Sequence, residues 1–473
     1  MSSRVLRLLV WCWFILAFLF SVRSIALAQA PVAVTAATFL VGAFLFYLLL
    51  TGSPKGWLVL ANRIQAIRSI TFLALVIGVA IALRVGWSMW VQTEPYSDFA
   101  VYHQTALALS HGQPPLPDKP LGYPLLLAVW YWAGSENWPG YLLNILFSVG
   151  TILVVYHLGH VVTSSQLTAR IAALFMAFWP TDVFYSSVLG SEVTYAFFLW
   201  LACWFFLSAL KTVSRSKVTR IALIIVAALV LAFSDIVRPT SLPLAMPALA
   251  LALLLDHNLS KRFRVAAGIG FVVIAVLGSQ ALTRTGSLLA PGVEPMPRWG
   301  YIFLIGTNSE TWGRYNEDDA KFVSTLPGDT VEKNQAALQL GLQRIRSNPA
   351  AFLALLPKKF VVMWGDDAYG VHFSTARAGR AVVVSTIGYL YYMSQVFWCL
   401  TLLLGLIYIW PPDRTIPFGL QCLLVLLILA TLFFELWEVQ PRYHHFLNPV
   451  LAIVAAASFV ATIEMRTKDE VIR

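Results

Sequence analysis

Four stretches of the chain set carboxylates at the edges of apolar runs, three of them with cations close by. Asp98 and Lys119 lie in YSDFAVYHQTALALSHGQPPLPDKPLGYP (96–124), and Asp182 and Glu192 flank PTDVFYSSVLGSE. Asp235 and Arg238 share SDIVRPT, while Glu435, Glu438, Arg442, Tyr443, His444 and His445 crowd into ELWEVQPRYHH. A carboxylate within hydrogen-bond reach of a hydroxyl can take its proton. Guanidinium and ammonium groups bind anions, arginine with two parallel bonds. Ionisable groups at membrane depth are costly and by default mark a function. Each residue alone also has a plain reading: Asp98 as a solvated loop residue, Glu435 and Glu438 as a wet helix end paired with Arg442, the histidines as interfacial side chains. His103 and His111 are eight apart, two turns on one helix face, which is weak evidence for a metal. The joint arrangement carries the functional reading, with carboxylates, Lys119, Arg238 and Arg442 expected on one face.

Composition identifies the setting. Of 473 residues, 59% are hydrophobic and only 12% charged, against roughly 25% charged in soluble globular proteins. Mean hydropathy is +0.73, and apolar runs recur at the ~20-residue length that crosses a bilayer as helix. The ~10-residue alternation of a β-barrel is absent. The chain therefore reads as an all-α polytopic membrane protein. Its net charge of +10 comes from short basic clusters beside apolar runs, a membrane-orientation pattern and not a nucleic-acid surface. Cys12, Cys203, Cys399 and Cys422 fall inside apolar runs without metal-ligand spacing, so neither a disulfide framework nor a zinc site is expected.

About twelve spans are predicted, at 8–28, 33–51, 69–90, 138–162, 168–187, 190–210, 219–236, 239–255, 264–283, 382–410, 416–435 and 443–464. The first run, followed by ALAQA, resembles a signal peptide but is long enough to span uncleaved, and the spanning reading is preferred. With this topology, Arg4 and Arg7 share one side with four basic clusters: Lys55 to Arg68, Lys211 to Arg220, Lys261 to Arg264 and Arg466 to Arg473. The positive-inside rule makes that side cytoplasmic, with both termini on it. Residues 350–365 hold Pro357, Lys358 and Lys359 at mid-run, where each lysine costs about 2.5–3.5 kcal/mol on insertion scales. That segment reads as an interfacial or re-entrant helix. Four regions follow: 1–68 with two additional helices and a basic loop; a 69–283 core with a first outer loop at 91–137; an outer region at 284–380; and C-terminal spans with a basic tail at 381–473. Within the third, TVEKNQAALQLGLQRIRSNP has helical periodicity and a proline stop. Asn308, Trp312 and Asn316 there are candidates to contact a sugar or acceptor. GYPLLLAVWYW (122–132) reads as a helix along the membrane surface.

The order of these features resembles the GT-C integral-membrane glycosyltransferases, in the branch of protein O-mannosyltransferases and the lipid A aminoarabinose transferase, over roughly residues 69–464. SDFAVYHQTALALSHG supplies the early outer-loop Asp as Asp98, without the Glu that often follows it in that family. DKPLGYP supplies Lys119 for a KPP-like motif. GSE offers Glu192 as the second acidic residue, with Asp182 as competitor. IVRPT, IGTNSETWGRYNEDD and QPRYHHFLNP are also similar to family stretches. The resemblance implies a polyprenyl-phosphate-linked sugar donor, an acceptor hydroxyl on a lipid, glycan or protein, and transfer with inversion. It implies Asp98 as general base and Glu192 as the group orienting the acceptor or a phosphate-binding cation. Lys119, Arg238, Arg442 and Tyr443 would bind the donor phosphate, and Tyr102, His103, Asp182 and Asn308 the acceptor or sugar. No cofactor is required; a divalent cation remains open without being indicated. Membrane lipids are partners and nucleic acid is not. The expected setting is a bacterial inner membrane with the site facing the periplasm. The main rival class is a transporter or flippase of lipid-linked sugars, which would place ionisable residues near the bilayer midplane on broken helices. Most of them gather at one boundary here, although Arg84, in IALRVGW, stands within its predicted span. An O-antigen ligase or polymerase is a second enzymatic alternative, and a structural assembly factor a third reading.

Overall fold

The computed structural model describes residues 3–27, 54–116, 119–132, 137–211, 216–289, 299–410 and 414–472. Every regular element among them is helical; a single bridge, Thr93 to Ala378, is the only extended pairing. Nine helices in this set are long and apolar enough to cross a membrane, and ten if one bent pair is counted. Eight follow their predicted spans within a few residues, among them Ser69–Val91, Asn137–Thr163, Glu192–Lys211, Lys217–Val237 and Phe418–Leu436. The protein is an integral membrane protein.

The expected twelve differ from these for three reasons. The 33–51 run lies outside the described residues. The 239–255 run forms the helix Ser241–Leu255 of 15 residues, which at 1.5 Å per residue reaches about 22 Å and falls short of the ~30 Å hydrocarbon core. The 168–187 run breaks into Gln166–Phe178 and Pro180–Ser187, bent by 53°. Pro180 has no N–H for Met176 and disfavours helical backbone at Trp179, which is extended at φ −62°, ψ 113°. The break is repaired from another span. Arg84, fully buried, donates to Met176 O (3.2 Å) and Ala177 O (3.1 Å) and, through Nε, to Ser148 Oγ (2.7 Å). This arginine faces the bundle and caps carbonyls that the proline leaves open.

The last helix lies at the centre. Of its most apolar stretch 83% is buried, against 22% for Ser69–Val91. Its AAA run, Ala455 to Ala457, lets neighbouring helices approach closely, and Val384–Ile409 and Gln166–Phe178 both pack on it. The residues just before it, Pro441–Leu447, form a 3₁₀ turn, which brings Arg442 to the middle of the bundle mouth.

Two pieces cover that mouth. The first outer loop forms the helices Ser97–Ser110 and Gly122–Tyr131, packed on each other. Gly122 is needed there, because a Cβ would sit 2.6 Å from Ile236 O and Val237 N. That approach sets Lys119 beside the end of Lys217–Val237. Trp132 at the helix end is 84% exposed, consistent with a helix lying along an apolar surface. The second piece holds five short helices between Trp299 and Thr375. Asn316 caps Glu317–Thr325, Asp329 and Glu332 form a capping box on Thr330–Ser347, and Asn348 caps the next helix. That helix, Pro349–Trp364, contains Pro357 and is not among the spanning set. Its Lys359 is fully buried and donates to Gly306 O (3.1 Å), Glu435 O (2.7 Å) and Trp437 O (2.5 Å). Glu438 N to Ile302 O (3.0 Å) and Val439 N to Gly313 O (2.9 Å) complete the seam between the covering piece and the bundle.

Candidate active site

Five elements contribute one charge each to an alternating chain. Asp98 stands in the first turn of Ser97–Ser110, Lys119 on the connector after it, Glu192 at the start of Glu192–Lys211, Arg238 just past Lys217–Val237, and Arg442 on the 3₁₀ turn. Lys119 Nζ is 2.7 Å from Asp98 Oδ1, and an Arg442 terminal nitrogen is 2.8 Å from Asp98 Oδ2. The other Arg442 terminal nitrogen lies 3.5 Å from Glu192 Oε1, which Arg238 meets at 3.1 Å. Asp98 therefore stands beside two cations, Lys119 and Arg442, that are 21 and 344 positions away in sequence.

The two carboxylates differ in access. The Asp98 side chain is 33% exposed and that of Glu192 2%. Asp98, Lys119, Arg238 and Arg442 line a cavity of about 1090 Å³, and Glu192 does not. Burial acts to raise the Asp98 carboxyl, but the charges and hydrogen bonds of Arg442 and Lys119 override it and hold it well below the usual carboxylate range. It is ionised at every physiological pH. Glu192 sits behind the guanidinium groups, with Oε2 enclosed and unpartnered. From there it pairs with Arg238 and Arg442 and is not on the cavity wall, so it holds two cations expected to bind phosphate. The cavity wall also includes the aromatic residues Phe433, Phe434, Trp437 and Phe446, and Tyr301, Arg314, Tyr315 and Lys333 from the covering piece. Arg238 lies over the Tyr443 ring at 5.6 Å, so Tyr443 supports that cation and itself lines the cavity.

The remaining expected residues divide. Tyr102 lines the cavity, with its hydroxyl 3.3 Å from Ser191 Oγ. His103 is not on the cavity wall: its Nδ1 is 2.9 Å from the Tyr131 hydroxyl, tying the two loop helices together. Asp182 is likewise off the wall. The Pro180 break turns it into the bundle, where it accepts from Asn448 (3.1 Å) and faces His445 Nε2 at 3.3 Å. Asn308 belongs to a separate cavity of about 490 Å³ and donates to Asp319 (3.0 Å). Asp235 accepts from Leu242 N (3.1 Å) and Ser279 (2.8 Å), a structural use. His444 turns away from His445, its Nε2 3.0 Å from Asp367 Oδ1, while Asp367 Oδ2 accepts from Trp179 (2.8 Å). Among the described residues no three His, Cys, Asp or Glu side chains group as metal ligands. Sequence reasoning missed Arg314, Tyr369 and His372 on the wall. GRYNEDD was the one signal for Arg314, and no spacing pointed to the other two.

Residues 118–279, a minority of the chain, match the family described as Dolichyl-phosphate-mannose-protein mannosyltransferase. The crystal structure of the Archaeoglobus fulgidus oligosaccharyltransferase in complex with zinc and sulfate superposes with a TM-score of 0.50 at 13% identity, over 84% of this chain and 49% of that one. The chain shares the fold of that structure. The resemblance drawn from Asp98, Lys119, Arg238 and Arg442 agrees with the family match over residues 118–279 and with that fold. ArnT from Cupriavidus metallidurans bound to undecaprenyl phosphate matches with a TM-score of 0.41 at 12% identity, over 84% of this chain and 79% of that one. The chain spans about half the length of the archaeal oligosaccharyltransferase chain. No curated protein matches it.

Proposed function

We propose that this chain is a membrane glycosyltransferase that moves a sugar from a polyprenyl-phosphate-linked donor to an acceptor hydroxyl, with inversion, on the extracytoplasmic face. The observation that carries the reading is Asp98 held between Lys119 and Arg442 on the wall of a cavity that Phe433 and Phe434 of a spanning helix also line. A lipid-linked phosphate suits such a place: its tail stays beside Phe433 and Phe434 while its charge reaches three cations. The family description, which names dolichyl-phosphate-mannose, supports the same donor class.

The geometry suggests how binding and chemistry are linked. While Asp98 is paired with both cations it is a poor base. A donor phosphate competes for Lys119 and Arg442, and each contact it takes from Asp98 raises the proton affinity of that carboxylate. The acceptor oxygen then attacks the anomeric carbon, its proton passes to Asp98, and the carbon–oxygen bond to phosphate breaks with its electron pair going to the leaving phosphate. Lys119, Arg238 and Arg442 stabilise that charge as it develops. Glu192 keeps both guanidinium groups aimed at it. The acceptor is a lipid, glycan or protein hydroxyl. The transporter reading wants charges at the bilayer midplane, and Arg84, the residue singled out for that reading, is committed to Ser148 and the carbonyls of Met176 and Ala177.

The test is release of polyprenyl phosphate from polyprenyl-phosphate sugars by the purified protein. Asp98→Asn should lower turnover by about 10²–10⁴-fold while leaving the thermal transition within a few degrees. Undiminished release in that variant refutes Asp98 as the base, and donor crossing vesicles without being consumed refutes the transferase reading.

A further inference from the structure

Glu438 is a buried carboxylate that the scheme above leaves unused. It is 7% exposed and lines the same cavity as Asp98, Lys119 and Arg442. Its backbone is fixed by the Ile302 carbonyl (3.0 Å). One carboxylate oxygen accepts from Gln440, and the other accepts no hydrogen bond among the described residues. Glu438 forms no ion pair there either, because the neighbouring cations are committed. Lys119 serves Asp98, Arg442 serves Asp98 and Glu192, and Lys359 serves three backbone carbonyls. The carboxyl nevertheless lines the same cavity wall as Asp98, Arg442 and Lys119, and burial there raises its affinity for a proton.

A buried carboxylate with open lone pairs is costly until something fills them. The neighbouring pairs say what does. Lys119, Arg238 and Arg442, which hold Asp98 and Glu192, are the groups that a donor phosphate would take. Glu438 adds nothing to phosphate binding and repels it. The part of a donor that suits Glu438 is therefore uncharged and rich in hydroxyls. We propose that Glu438 determines donor specificity, its free oxygen accepting hydrogen bonds from hydroxyls of the transferred sugar. This inference rests on the glycosyl-transfer reading.

The experiment measures binding, so it does not depend on finding the acceptor. The full chain in detergent is titrated with polyprenyl phosphate lacking sugar, and with its mannosyl, glucosyl and arabinosyl forms. In the wild type the best sugar-bearing lipid should bind more tightly than the bare one. Glu438→Ala should erase about 10-fold or more of that preference, as expected for a hydrogen bond to a charged group, and leave affinity for the bare lipid within about 2-fold. Glu438→Gln, whose amide oxygen still accepts, should retain most of the preference, and Glu438→Asp, one methylene shorter, should lose it. Equal weakening of both lipids in Glu438→Ala would show a structural role and overturn the proposal. An unchanged preference overturns it too, as does a wild type that binds bare and sugar-bearing lipids alike. If Glu438→Ala does not fold, the contrast between Gln and Asp decides. A wild type that binds none of these lipids sinks the donor reading itself, and the proposal with it.

Discussion

Removing Arg442 tests the charge chain directly. Breaking a buried ion pair by deleting one partner costs about 3–5 kcal/mol when the other charge is stranded. Arg442→Met strands neither carboxylate, since Asp98 keeps Lys119 at 2.7 Å and Glu192 keeps Arg238 at 3.1 Å. Its cost should therefore fall nearer 2 kcal/mol, the scale of lost charge-assisted hydrogen bonds. Arg238→Met should cost a similar amount, because Glu192 retains Arg442 at 3.5 Å. The double variant leaves Glu192, 2% exposed, with no cation in its network. It should be more destabilised than the sum of the singles, by about 1–3 kcal/mol, as expected for residues sharing one network. Adding Glu192→Gln to the double should recover most of that excess by removing the stranded charge. The assay is thermal unfolding of the detergent-purified variants at one protein and detergent concentration. Strict additivity of the two arginine variants, or a triple variant no more stable than the double, refutes the account of Glu192 as the shared anchor.

Other outcomes follow from single contacts. Arg84→Leu removes the donors to Met176 O and Ala177 O and should lower stability by about 2–4 kcal/mol through unsatisfied buried carbonyls, read as a fall in Tm. Gly122→Ala places a Cβ against Ile236 O and Val237 N; it should cost about 1–3 kcal/mol and lower donor turnover by displacing Lys119, both measured on the same preparation. The Asp98 carboxyl is depressed in the folded state, so its stabilising contribution is present above the unfolded value near 3.9 and is lost as pH falls below it. Acid titration of Tm should show a drop below about pH 4 that is smaller in Asp98→Asn.

Much of the site was legible as residue types and little of it as contacts. Asp98, Lys119, Arg238 and Arg442 stand out because charge beside long apolar runs is expensive and so is kept sparingly. Asp182 stands out for the same reason and is placed otherwise, because Pro180 turns the chain inward and gives that carboxylate to Asn448 and His445. His103 and Asn308 belong to the same class of miss: a polar side chain in an outer loop looks alike whether it faces a cavity or braces two helices. Glu438 was visible as one of two glutamates at a helix end. That it forms no ion pair among the described residues depends on which lysines and arginines the fold commits elsewhere.

The sequence by itself determined that the protein is a helical bundle in a membrane, where most spans begin and end, and which charged residues lie near one another at those ends. Apolar length and helical period are local properties, and a bilayer leaves the backbone few alternatives. Only the tertiary structure decided the order of the ion chain, the exposure of Asp98 against the enclosure of Glu192, and the bend that shortens one span. These depend on contacts between elements hundreds of positions apart, such as Arg442 to Asp98, for which no local pattern exists to be read.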